Sequence, residues 1–255
     1  QPFAVENLAA SVGTGDSEMR FSAANLTGRL DGSIGGTLEG GTARLAAVPF
    51  DLDAIGARWT FTEGALRLSD ARFTLSDRPA QGEARFVPLL AEGASLTFAD
   101  SRIAAAAELR HRESRRGVAA VTLTHDLDTG AGGARIAVPG VVFDKAFQPA
   151  DLTPLAKGVI AFADGTVTGS GRVDWQGEDI TSSGTFRSDG FDFAAAFGPV
   201  RGLAGQIVFS DLVNLTTAPG QTVTIAAINP GVEVLDGTVR FTLTGGTRLA
   251  LEDAR

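Results

Sequence analysis

Residues Phe209–Leu243 read FSDLVNLTTAPGQTVTIAAINPGVEVLDGTVRFTL. Thr222-Val223-Thr224-Ile225 and Thr238-Val239-Arg240-Phe241-Thr242-Leu243 alternate polar with apolar at a period of two. A β-strand sends successive side chains to opposite faces, so each run predicts a strand with one oily and one wet face. Pro219-Gly220, Pro230-Gly231 and Asp236-Gly237 interrupt the runs. The stretch offers no nucleophile, metal-ligand cluster or acid–base pair, so its purpose lies in its apolar face.

The same alternation recurs outward from this stretch: Trp59 and Phe61; Leu66 and Leu68; Ala71, Phe73 and Leu75; Leu96 and Phe98; Val121 and Leu123; Ile136 and Val138. It continues through Ile160 and Phe162; Val173 and Trp175; Phe191 and Phe193; Ile207 and Phe209. The intervening residues are mostly Thr, Ser, Arg and Asp. This is the signature of antiparallel sheet rather than of parallel sheet buried on both faces. Candidate hairpin turns are Asp31-Gly32, Gly35-Gly36, Gly40-Gly41, Gly132-Gly133, Asp164-Gly165, Asp189-Gly190, Asp236-Gly237 and Gly245-Gly246. Such pairs supply the positive φ of two-residue turns, predicting an all-β meander of about fifteen short strands.

Helix signals are few. Gln148–Lys157 predicts a turn or two, with Asp151 as cap, Pro154 in the first turn and Gly158 as stop. A second short piece is expected at Ala194–Phe197, and Ile103–Arg110 fits helix and strand equally. No linker composition marks a domain boundary; a single elongated β domain is expected over 1–255, with a weak seam near 139–154.

A net charge of -8 argues against nucleic acid as partner, since phosphate neutralisation needs clustered cations. The one basic run, His111–Arg116, reads as a solvated turn. The absence of cysteine excludes disulfides and thiolate chemistry. No eighteen-residue apolar run exists, and the start QPFAVENLAA lacks Met and the regions of a signal peptide. The chain is therefore expected to be a piece of something longer, with any anchor upstream. Phe numbers 16 and Tyr none, which points to a demand for aromatic surface without hydroxyls.

His125 with Asp126 and Asp128 is the strongest candidate for a metal or acid–base cluster, but the calcium-loop pattern is incomplete and a polar hairpin end accounts for it. No nucleophile elbow or phosphate loop is present. The residues call for neither catalytic site, metal nor cofactor. With helices too few to cover the sheet, its apolar face must close against a second sheet as a filled core, or the sheet must curl around a space.

Gly205, Phe209, Asp211 and Leu212, then TTAPGQ at 216–221 and INPGVEVLDGTVRFTL at 228–243, resemble the YdbH branch of the AsmA-like proteins. FDFAAAFGPVRGLAGQIVF at 191–209 is similar to the same branch; before Gln148 the likeness is architectural. The resemblance implies a long antiparallel sheet folded lengthwise into a U-shaped hydrophobic groove, the β-taco. It implies the periplasmic portion of an inner-membrane-anchored protein of a Gram-negative bacterium, carrying phospholipid between inner and outer membrane, as TamB-related proteins do. The expected partners are phospholipid, the rest of its own chain and an outer-membrane lipoprotein, with membrane contact through segments outside this stretch. The lipid-facing residues are then expected to be Val121, Leu123, Ile136, Val138, Phe162, Phe186, Phe191, Phe193, Ile207, Phe209, Val223, Ile225, Val232, Val234, Val239, Phe241 and Leu243. Rival readings are a closed β scaffold that docks a protein, and, more weakly, a glycan or lipid hydrolase. Dicarboxylate transport fits poorly, for want of fixed cations and membrane spans.

Overall fold

The computed structural model describes residues 1–13, 18–31, 33–46, 48–79, 82–177, 179–245 and 248–255. The protein is all-β: a sixteen-stranded antiparallel sheet whose hydrogen-bonded order follows the chain, with one two-residue strand off the path. The first eight strands are β1 (Pro2–Val12), β2 (Met19–Asp31), β3 (Ser33–Leu45), β4 (Phe50–Thr62), β5 (Ala65–Asp77), β6 (Leu89–Ala99), β7 (Arg102–His111) and β8 (Gly117–Asp126). There follow β9 (Ala131–Phe143), β10 (Ala161–Gln176), β11 (Asp179–Ala195), β12 (Gly198–Asp211), the short β13 (Thr216–Thr217), β14 (Gln221–Ile228), β15 (Val234–Leu243) and β16 (Leu249–Ala254). Two compact units divide the chain: unit 1 holds 1–82, 88–135 and 174–180, and unit 2 holds 83–87, 136–173 and 181–255.

Apart from β13, β14 and β16, strands of ten to seventeen residues replace the short ones expected. The reason lies in the glycine pairs. Gly35-Gly36, Gly40-Gly41, Gly132-Gly133, Asp164-Gly165, Asp189-Gly190 and Asp236-Gly237 all lie inside strands. Gly32 and Gly246 of the remaining pairs lie outside the described residues. Positive φ serves a β-bulge as readily as a hairpin. Gly40 (φ +63), Gly165 (φ +139) and Asp236 (φ +55) have positive φ within their strands, whereas Gly35-Gly36, Gly132-Gly133 and Asp189-Gly190 have none and continue as ordinary strand. The two-residue hairpins with positive φ at both centres are instead Glu63-Gly64 and Asp100-Ser101, pairs with weaker sequence signals.

In unit 1, positive-φ residues recur strand by strand: Asn7, Gly40, Ala54, Asp70 and Gly93 on β1, β3, β4, β5 and β6. The ladders shift register beside them, between Leu38 and Gly41, Asp53 and Gly56, Leu68 and Ala71, and Ala91 and Ser95. Bulges bend the strand that carries them. A row of bulges at neighbouring levels therefore creases the sheet across its strands and turns the two arms of its apolar face toward each other. Consistent with that crease, one cluster joins buried Ala23, Leu38, Ile55 and Trp59 to Phe3, Leu26 and Leu66 on one side and to Phe21, Ala43 and Leu52 on the other.

Glycine has a second use beneath the indoles. Trp59 reaches from β4 across β3 to donate its Nε1–H to the Thr27 carbonyl of β2 at 3.1 Å. A Cβ on Gly28 would stand 2.5 Å from the Phe3 ring and 2.8 Å from Trp59, and one on Gly36 would overlap the Thr27 carbonyl oxygen. Trp175 likewise lies over Gly132 and donates to His125 Nδ1 at 3.1 Å. An aromatic over a bare backbone position buries its faces without raising the sheet's height.

Unit 2 repeats the bulge device. Gly202 (φ +60) and Asp236 (φ +55) flank Ala226 of β14 from either side, as Gly40 and Asn7 flank Ala24 of β2. A Cβ on Gly202 would meet the Ala226 methyl at 2.8 Å, the same separation that Gly40 has from Ala24. Ile103–Arg110 is strand β7, because Ile103, Ala105, Ala107 and Leu109 alternate toward the interior. Ala194–Phe197 is the end of β11 and a tight turn rather than a helix. The expected helix at Gln148–Lys157 is a four-residue α1 (Pro149–Leu152) followed by a 3₁₀ turn (Pro154–Ala156), capped by Gln148 and not by Asp151. The Asp151 carboxylate closes the capping box by accepting the Gln148 N–H at 2.8 Å.

Burial pushes the Asp211 carboxyl up, but hydrogen bonds from the Asn214 backbone and side-chain amides and the Ser182 hydroxyl outweigh it and hold the group below the usual carboxylate range. A depressed folded-state pKa stabilises above the unfolded value, near 4, and the stabilisation is lost as pH falls through the folded one. Wild type is therefore expected to melt above Asp211→Asn at pH 7, with the gap closing as thermal scans are taken below about pH 4. For the crease packing, Gly36→Ala is expected to cost about 1–3 kcal/mol in urea unfolding. Gly117→Ala, whose methyl would meet nothing within 4 Å, should cost less than about 0.5 kcal/mol.

Candidate functional site

The inward face of each unit is the feature that could act on another molecule. In unit 1 its floor is largely alanine: Ala57, Ala71 and Ala94 are buried together, with Leu68, Phe73 and Ala107 packed against them. Val121 and Leu123 of β8 sit half-buried beside this floor, paired with Ala107 and Ala105 of β7. Sequence reasoning chose the large residues and missed the alanines. The signal was present in IAAAAELR, where every second residue from Ile103 points inward.

The unit 2 face is aromatic. Phe143 stacks on Phe147 at 5.6 Å between ring centroids and meets Phe191 edge-on at 5.9 Å, and Phe191 continues to Phe193 at 6.0 Å. These rings surround Val141 and Ala163, with Val138, Leu152, Ile160, Val167 and Leu203 packed around them. The Asp144 carboxylate folds the chain at one strand end by accepting the Ala146 and Phe147 N–H groups. The Gln148 amide ties that corner to β10 through both polar groups of Ala163. Phe147 is thereby carried inward to full burial, which no periodicity announced. A second pair, Phe186 and Phe209, meets edge-on at 5.8 Å, and Leu212 lies over Gly171 and Gly184.

Of the expected lipid-facing residues in unit 2, Phe191, Val223, Ile225 and Phe241 are buried. Ile136, Val138, Phe186, Phe193, Ile207, Phe209, Val239 and Leu243 remain half-buried, touching both protein and open space. Phe162 is a correction: it is 84% exposed, because its positive φ (+53) rotates it outward and gives the inward place to Ala163. Val232 lies in the β14–β15 connection at 77% exposure, and Val234 opens β15, also exposed.

The polar candidate resolves into a turn. Hydrogen bonds from the Thr129 N–H, the Arg102 guanidinium and the Thr129 hydroxyl hold the Asp126 carboxyl below the usual carboxylate range. His125 accepts the Trp175 indole N–H, and Asp128 contributes only its backbone N–H to Asp126. Among the described residues no three His, Asp or Glu side chains converge as a metal site would require, and no helix is long and apolar enough to cross a membrane.

No curated protein and no solved structure matches the chain. The family model described as "YdbH-like: Intermembrane phospholipid transport protein YdbH" matches residues 5–255, well upstream of the Gln148–Arg255 stretch whose motifs carry the resemblance. With an apolar inward face and a match over nearly its whole length, the chain belongs to the YdbH-like family of intermembrane phospholipid transport proteins.

Proposed function

We propose that the inward face of unit 2 holds phospholipid acyl chains, and that the protein is a segment of an apolar conduit between the inner and outer membranes of a Gram-negative envelope. The observation that carries this reading is the burial pattern. Eight of the inward apolar residues, from Ile136 to Leu243, stop at intermediate exposure. A filled core would bury them, since interiors pack as densely as organic crystals. Moving a sixteen-carbon chain into water costs about 12 kcal/mol at ~0.8 kcal/mol per methylene. A lining that remains apolar from strand to strand lowers this cost at each step and needs no nucleophile, metal or base.

Unit 1 favours a second reading for itself. Its cluster buries Ala23, Leu38, Ile55 and Trp59, with Phe3, Phe21, Leu52 and Phe73 half-buried against them, and a scaffold role would take these side chains as core rather than lining. In that reading unit 1 is scaffold near β1–β4, and lipid contact is restricted to its alanine floor. The periplasmic setting, the membrane anchor and an outer-membrane lipoprotein partner belong to the proposal as what the family implies.

Native mass spectrometry of gently purified protein tests the reading. Wild type is expected to carry phospholipid at about one molecule or more per chain, and Phe193→Asp with Phe209→Asp to lose at least three-quarters of it while keeping a β circular-dichroism spectrum. Lipid-free wild type, or undiminished lipid in the folded variant, would overturn the assignment. In the same preparation, a photoreactive acyl chain should label unit 2 peptides in preference to those around Trp59.

A further inference from the structure

Residues 83–87 join β5 to β6 in sequence, yet they pack with unit 2 rather than with those strands. Ala84, Arg85, Phe86 and Val87 are all half-buried there. Two of its hydrogen bonds tie the segment to distant parts of unit 2. The Val87 N–H donates to the Leu152 carbonyl at 2.9 Å, and the Arg85 guanidinium donates to the Val213 carbonyl at 3.5 Å. These carbonyls belong to opposite ends of the strands. Leu152 is in the connection from β9 to β10, whereas Val213 follows β12, and in an antiparallel meander those connections lie at opposite strand ends.

Extended, the fourteen residues of β12 span about 46 Å. Two residues of backbone, an arginine side chain and the two hydrogen bonds reach at most about 20 Å. Strand ends or their loops are therefore drawn toward each other over the inward face. Both anchor points lie on that face, since Leu152 packs against the phenylalanine cluster and Leu212 covers Gly171 and Gly184.

We propose that residues 83–87 are a strap across the mouth of the unit 2 trough, and that lipid enters or leaves unit 2 sideways only when the strap lifts. This rests on the lipid reading above and adds a gate to it. The strap has no strand pairing of its own and its side chains are half-buried or exposed, so its opening costs little compared with unfolding the strands beneath. Closed, it confines the cargo to movement across the strands; open, it permits exchange with a membrane or with a following protein segment.

The chain contains no cysteine, so introduced thiols are unique. The 2.9 Å bond from Val87 N to Leu152 O limits the two Cα atoms to about 6.8 Å apart, within disulfide range. Val87→Cys with Leu152→Cys is therefore expected to form a disulfide that locks the strap, with the reduced form of the same protein as its control. Uptake of fluorescent phosphatidylethanolamine from vesicles should fall at least tenfold on oxidation and recover on reduction. A third change, Phe209→Cys, reports the trough without lipid: its labelling by a bulky maleimide should slow at least fivefold when the strap is locked. If locking alters neither rate, the strap proposal is overturned. If labelling slows but neither redox form nor wild type ever binds lipid, the strap stands and the transport reading falls instead.

Discussion

The structure depends on an unequal supply of cover. A sheet of this length presents an apolar face that one four-residue helix and a 3₁₀ turn cannot blanket. The sheet must therefore cover itself, and a pleated ribbon bends across its strands only where the ladder is broken. The positive-φ positions supply those breaks. They are costly for residues other than glycine, so Ala54, Asp70 and Phe162 persist because strands on both sides fix their conformation, and Asn7 and Asp236 because one paired strand does. Small partners are a condition of the bend. Ala24 and Ala226, each pinched between two bulges, leave room for backbones that a larger side chain would push apart.

Once bent, the arms differ by what stands on them. Around Trp59, Gly28 leaves room for the Phe3 and Trp59 rings, Gly36 lets the neighbouring backbone approach, and residues of both arms pack into one cluster. Over β4 to β8 the floor is alanine, and in unit 2 the rings of Phe186, Phe193 and Phe209 are half-buried on the sheet. The two units thus share their backbone devices and differ in the volume of the residues at inward positions.

Much of this was legible in the sequence. Period two gave the strands, their antiparallel order and the inward identity of residues such as Val223, Ile225 and Phe241, because a pleat leaves no freedom in which face a side chain takes. The period fails wherever a bulge inserts a residue, and hence Phe162 was assigned inward and Ala163 was not. Six of the eight Asp-Gly and Gly-Gly pairs lie within strands for a related reason: such a pair permits positive φ without requiring it, and whether the strand continues is decided by its neighbours. Phe147 and the segment at 83–87 lay outside the periodic pattern: a local Asp144 turn together with the bonds from Gln148 to Ala163 places the first, and bonds from Arg85 and Val87 to distant carbonyls place the second.

A conduit for chains of varied length must avoid a deep well at any one point, or cargo would stop there. Phenylalanine suits this better than tyrosine or tryptophan, because it offers a large apolar surface with no donor that would fix the angle or depth of a guest. The two tryptophans satisfy the same rule by exception: each spends its N–H internally, Trp59 on Thr27 and Trp175 on His125, so neither presents a polar point to the face. Polar groups buried near the lining are satisfied in the same way; Gln221 accepts the Val208 N–H and donates to the Ala218 carbonyl. In the proposed lining of unit 2 the half-buried residues are hydrocarbon of similar character from strand to strand, which is the condition for a bound chain to slide at nearly constant energy.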